Sequence, residues 1–172
     1  MSVRKLIIDG ITIPTWASLT IKQSYESIQG VSRDRTADGT LRQREIWAGK
    51  IRTIITGGGN APSGIQEIDT SGSYTIHCIK PLSINSASNV INIPASRRSD
   101  AGSLPFGFAI IGDEMIETAV SMAVNEATLT AVAGADGYQV RWFPVITVMS
   151  DPVQEDLARG SGFGWMIEAE EV

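Results

Sequence analysis

Three consecutive glycines, Gly57 to Gly59, follow a Lys- and Arg-bearing apolar segment in "WAGKIRTIITGGGNAPSGIQEID" (47–69). A phosphate-binding loop needs Gly, four spacers and Gly-Lys-Ser/Thr, because successive backbone N–H groups cradle phosphates while the lysine neutralises them. Here Asn60, Ala61, Pro62, Ser63 and Gly64 follow, and no lysine comes after Gly64. The dinucleotide fingerprint needs G-x-G-x-x-G opening a long helix. Pro62 and Gly64 leave room for about one helical turn before Asp69. The stretch therefore reads as a loop between a strand and a short helix at 61–69, with Pro62 near its start.

Other chemistry is equally thin. His77 is the single histidine and Cys78 the single cysteine, so double-histidine and Cys/His metal sites are excluded within one chain. A Ser-His-Asp triad would have to use His77, yet the chain has no G-x-S-x-G, of which "GSGFG" (160–164) is only an echo. A Cys78–His77 dyad fails because adjacent strand residues face opposite sides of a sheet. Asp113-Glu114 or Glu168-Glu170 could be nominated as paired carboxylates for glycoside hydrolysis, with nothing to separate them from surface charge. No catalytic, cofactor-binding or metal-binding residue is assigned, and an enzyme is not expected.

The chain of 172 residues, 42% hydrophobic and 19% charged, is long enough for one β-domain over 1–172 with its own core. Cys78, in an apolar run, is expected to be a core thiol. "MSVRKLIIDG" has too short an apolar run for a signal peptide, and no stretch is long enough to span a membrane, so a soluble protein is expected.

The net charge of −5 argues against nucleic acid as the main partner. Its distribution is uneven. Residues 1–86 hold 10 Lys/Arg and 7 Asp/Glu, or +3; residues 87–172 hold 4 and 12, or −8. Arg33, Arg35, Arg42, Arg44, Lys50 and Arg52 crowd into twenty residues, while the chain ends "MIEAEEV". Such asymmetry fits solvated faces, a nucleic-acid patch, or a positive face of one copy meeting a negative face of the next.

Strand signals dominate the elements that carry these groups. Alternation is clear in "SLTIKQSY" (18–25), "YTIHCI" (74–79), "NVINI" (89–93), "ATLTAV" (127–132) and "YQVRWFPVITV" (138–148). "ETAVSMAVNEA" (117–127) alternates in the same way and reads as strand more than helix. Asp9-Gly10, Asp38-Gly39 and Asp136-Gly137 are hairpin-turn pairs, the first joining "KLII" to "ITI". Together these predict an all-β fold, a β-sandwich or barrel-like sheet with one short helix near 61–69. "TLRQREIW" (40–47) and "KIRTIITG" (50–57) read as two strands joined through Ala48-Gly49. Leu41, Gln43, Glu45 and Trp47 would then share one face, and Arg42, Arg44, Lys50 and Arg52 would line a basic one. "SRRSDAGSLP" (96–105) is the best candidate for a projecting loop. Trp16, Trp47, Trp142 and Trp165 sit in apolar runs and are expected in the core.

The order "LIIDGITIPTWASLTIKQSYESIQG", "RTADGTLRQREIWAGKIRTIITGGGNAPSGIQEID" and a terminal "FGWMIEAEEV" resembles small tail proteins of tailed bacteriophages. The resemblance lies in the Ile-Asp-Gly-x-x-Ile-Pro hairpin, the Trp-x-Gly-Lys-Ile-Arg-Thr strand, the Pro-Ser-Gly-Ile turn and the aromatic strand ending in acidic residues. Among these proteins the distal tail class is closest, without the carbohydrate-binding-like domain that many members add. The resemblance implies a homo-hexameric ring of the virion baseplate, made in the bacterial cytoplasm and joining the tail tube to hub and receptor-binding components. It implies no membrane, nucleic acid or cofactor. Unlike charges on two surfaces would orient such a ring, with Arg42, Arg44, Lys50 and Arg52 on one and Glu168, Glu170 and Glu171 on the other. Tail-tube and tail-terminator proteins share related β-folds and stay open, as does a carbohydrate-binding β-sandwich.

Overall fold

The computed structural model describes residues 4–158 and 162–172. In chain order the strands are β1 (Ile7–Ile8), β2 (Ile11–Thr12), β3 (Lys22–Arg35), β4 (Leu41–Gly59), β5 (Tyr74–His77), β6 (Leu82–Ser86), β7 (Val90–Asn92) and β8 (Phe106–Ile111). They continue as β9 (Glu114–Thr118), β10 (Val120–Ala123), β11 (Glu126–Leu129), β12 (Gly137–Trp142), β13 (Val145–Ser150), β14 (Gln154–Ala158) and β15 (Gly162–Glu171). The fold is all-β, and the strand pairings described below are antiparallel. Helical structure among the described residues is a short 3-10 turn, Thr15–Ala17. The expected helix at 61–69 is replaced by a turn in which Ile68 N–H donates to the Ile65 carbonyl, 3.2 Å. Gly64, at φ +77°, breaks the helical path one residue before that turn.

The chain divides into two compact units, Met1–Thr12 with Thr75–Ile146 and Ile13–Tyr74 with Thr147–Val172. In the first unit, β1 pairs with β2 across Asp9-Gly10, both at positive φ as the tight turn requires. A three-stranded sheet (β10-β11-β7) and a four-stranded sheet (β6-β12-β8-β9) share a core in a sandwich-like arrangement. Ile91, Ala127 and Leu129 enter it from the former sheet; Ala109, Tyr138, Val140 and Trp142 enter from the latter. Alternation in β12 sets this up: Tyr138, Val140 and Trp142 point inward while Gln139 and Arg141 point outward. Cys78 is fully buried. The 117–127 segment is strand and not helix, but it is broken at Ala119 and reverses at Val124-Asn125, where its alternation suggested a continuous run. Asp136-Gly137 is no hairpin turn; the Asp136 carboxylate instead accepts the Gly112 N–H, 2.7 Å, bracing the β8–β9 turn.

The 96–105 segment does not project. Arg98 and Ser103 are buried within it. Arg98 donates through one guanidinium nitrogen to the carbonyls of Lys5, His77 and Cys78 and through the other two nitrogens to Asp100, at 2.8 and 2.9 Å. A polar loop folds inward here because one arginine supplies donors for several carbonyls at once.

The turn from β10 to β11 contains Val124, 85% exposed and at φ +52°. A β-branched residue is strained in that region, which a two-residue hairpin normally gives to glycine. Val124→Gly is expected to stabilise the protein by about 1 kcal/mol, the relieved strain exceeding the added chain entropy. A denaturation midpoint at or below wild type would refute this.

In the second unit β15 pairs with β4, and β4 with β3, while β13 and β14 pair with β15. Trp165, Ile167 and Ala169 of β15 and Thr53 and Ile55 of β4 are buried. Trp165 donates its indole N–H to the Ala17 carbonyl, 2.7 Å, tying the 3-10 turn to the sheet. β3 begins at Lys22, so 18–21 is a turn that leaves Leu19 57% exposed.

Candidate subunit interface

β4 is one strand of 19 residues, where alternation around Ala48-Gly49 suggests a hairpin. Gly49, at φ +77°, forms a bulge instead of a reversal. Ile28 stands opposite Lys50 and Gly30 opposite Trp47, so Ala48 and Gly49 face Gln29 alone. A second irregularity follows, since Val31 stands opposite Glu45 and leaves Ile46 as an extra residue.

These two extra residues decide which side chains share a face. β3 is regular, so Glu26, Ile28, Gly30, Ser32 and Asp34 lie on one side, and so do their partners Arg52, Lys50, Trp47, Arg44 and Arg42. The basic face expected from plain alternation survives because two insertions restore the parity that one would invert. Trp47 changes sides and joins the arginines. Its indole lies across Gly30, where a Cβ would overlap the ring.

The ribbon has two regions. β15 pairs with β4 from Arg52 to Gly59 only. Beyond that, Gly30–Arg35 and Leu41–Trp47 pair with each other and with no third strand among the described residues. At about 3.3 Å per residue this distal ribbon reaches roughly 20 Å. Its end is well braced: Thr36 N–H donates to the Thr40 carbonyl, 3.0 Å, and Thr40 N–H to the Asp38 carboxylate, 3.1 Å. Hydrogen bonds from Thr36 and then Thr40 lower the Asp38 pKa below the ordinary carboxylate value. Residues 41–49 are all exposed, including Leu41 (53%), Ile46 (69%) and Trp47 (46%).

The sequence-assigned residues separate along the same line. Arg42 and Arg44 lie on the distal ribbon and enter no ion pair among the described residues. The other five are joined within the second unit. Arg52 stands between Glu26 and Glu170 in register and meets Glu26 at 3.7 Å, Glu168 at 3.2 Å and Glu170 at 2.7 Å. The Glu170 hydrogen bond, with the neighbouring carboxylates, raises the Arg52 pKa further. Lys50 Nζ donates to the Val172 carbonyl, 2.6 Å, and Ile51 N–H to the Glu171 carboxylate, 3.1 Å, where the β15 ladder runs out.

Trp142 and Trp165 are core residues, as expected, but Trp16 (51%) and Trp47 are exposed. Sequence reasoning missed Leu41 and Ile46 because alternation assigned them to ordinary strand faces. No sequence signal marked them, because the two register shifts that set this ribbon's faces are visible only in the pairing of β3 with β4. Among the described residues no group of three His, Cys, Asp or Glu could hold a metal, and no helix is long and apolar enough to cross a membrane. Comparison with protein-family models, curated proteins and solved structures found no match to this chain.

Proposed function

We propose that this chain is a structural virion protein that assembles with copies of itself into a ring in the distal tail of a bacteriophage, linking the tail tube to hub and receptor-binding components. The observation that carries the assembly reading is the distal ribbon. A two-stranded hairpin is marginal in water unless a further strand or surface covers it. This one exposes Leu41, Ile46 and Trp47, side chains of the kind that anchor interfaces. The tail assignment draws on the resemblance of the N-terminal hairpin, the Trp-x-Gly-Lys-Ile-Arg-Thr strand and the acidic aromatic C-terminal strand to distal tail proteins.

Native mass spectrometry is expected to find one closed species at an integral multiple of 18.4 kDa. A hexamer would weigh about 110 kDa, and negative-stain images should show discrete rings. A chain that stays monomeric at all concentrations would overturn the reading. Rings that stack into tubes would move it to a tail-tube protein.

A further inference from the structure

The first unit carries a surface whose charge is opposite to that of the distal ribbon. Between Ser99 and Val140 the sequence carries Asp100, Asp113, Glu114, Glu117, Glu126 and Asp136 and no Lys or Arg. Asp100 is engaged with Arg98, and Asp136 with the Gly112 N–H. Asp113, Glu114 and Glu117 enter no ion pair among the described residues. They lie at the β8–β9 turn and along β9, where Met115 (43%) and Ile116 (42%) are exposed. β9 is the outer strand of its four-stranded sheet, so among the described residues one backbone edge carries no neighbouring strand. Proteins normally guard such an edge with charged side chains, proline or a covering segment; β9, "EMIET", has only carboxylates, which repel an acidic edge and leave it open to a basic one.

We infer that the distal ribbon of one copy docks on the β9 edge of the next copy. Arg42 and Arg44 reach this edge from one face of the ribbon, where Glu114 and Glu117, on opposite faces of β9, flank it on either side, and Ile46 and Trp47 cover Met115 and Ile116. The inference rests on the ring reading and names the surfaces that build the ring. The ribbon and β9 are different surfaces, so the contact is head-to-tail and repeats from copy to copy instead of ending at a two-fold dimer. Exposed ion pairs are individually weak, so the apolar side chains hold the contact while the charges steer and orient it. Each surface lies within one unit, and neither needs Arg52, whose carboxylate partners are its own.

The test is a charge exchange read by sedimentation velocity at physiological ionic strength. Arg42→Glu with Arg44→Glu, and separately Glu114→Arg with Glu117→Arg, are each expected to move the assembly midpoint about 100-fold to higher concentration. Because all four residues are exposed, circular dichroism and melting temperature should match wild type. The chain carrying all four changes should assemble again within about tenfold of wild type. Ile46→Asp should disrupt assembly, and the exchange should not rescue it. A wild type that assembles while either reversed pair leaves the midpoint unmoved, or a four-fold variant that fails to reassemble, overturns the inference and leaves the ring reading standing. A monomeric wild type overturns both.

Discussion

Replacing Asp100 with alanine is expected to lower stability by about 3 kcal/mol, because it leaves a buried guanidinium without its counter-charge. The Arg98 side chain is 2% exposed, and Asp100 takes both its Nε and one Nη as donors. Ser103 adds a hydroxyl hydrogen bond to the same carboxylate, 2.9 Å. Asp100→Asn should cost about 1–2 kcal/mol, since one amide oxygen can still accept. Arg98→Met should also destabilise, through the carbonyls of Lys5, His77 and Cys78 that lose their donor. A urea midpoint for Asp100→Ala within about 0.5 kcal/mol of wild type would show that solvent reaches the guanidinium, and would refute the buried pair.

The same pair predicts a pH dependence. The Arg98 hydrogen bond holds the Asp100 pKa at about 2, below the ordinary 3.8. The folded state therefore binds the proton less readily than the unfolded state. The stabilisation is present in full above the unfolded value and is lost as pH falls from about 4 towards about 2. Asp100 is nearly half exposed, so the shift is worth roughly 1 kcal/mol after solvent screening. The gap between wild type and Asp100→Asn should narrow over that interval. A gap that is constant from pH 6 to pH 2 would exclude Asp100 as the titrating group.

Gly59→Ala is expected to cost about 3 kcal/mol and Gly57→Ala about 2, both through overpacking. A Cβ on Gly59 would overlap the Trp16 carbonyl oxygen, which also accepts the Asn60 N–H at 2.9 Å. Main chain cannot rotate aside, so relief would break that hydrogen bond. A Cβ on Gly57 would enter the Trp165 ring, which is held by its bond to Ala17. A Cβ on Gly58 would meet the Phe163 carbonyl oxygen at 2.9 Å and Thr20 Oγ1 at 3.2 Å, and the alanine variant should cost about 1 kcal/mol. For a chain of this size, Gly59→Ala should lower the melting temperature by about 6–12 °C. Equal effects at the three positions would contradict the packing order. A saturable rise in melting temperature with inorganic phosphate, lost in Gly58→Ala, would instead restore a ligand role.

Alternating side chains determined the all-β fold from sequence alone, since period-two burial is a local property of each strand. Asp9-Gly10 and Asp38-Gly39 marked their hairpins because the required backbone angles belong to those residue types. The apolar surroundings of Cys78 were enough to bury it, and the uneven charge was plain from composition. What only the tertiary structure decided concerns partners distant in sequence. Alternation cannot tell a reversing Ala48-Gly49 from a bulge, because the difference lies in whether Lys50 meets Ile28 on the opposite strand. The glycines at 57–59 look like a loop until Trp165 and Trp16 are brought across them. Arg98 looks like a loop cation until three carbonyls converge on it. Arg52 and Glu170, 118 residues apart, looked like charges for two different surfaces until β15 placed them side by side. Charge and pattern are properties of the chain, but register sets which residues meet, and register is settled by the packing of the whole sheet.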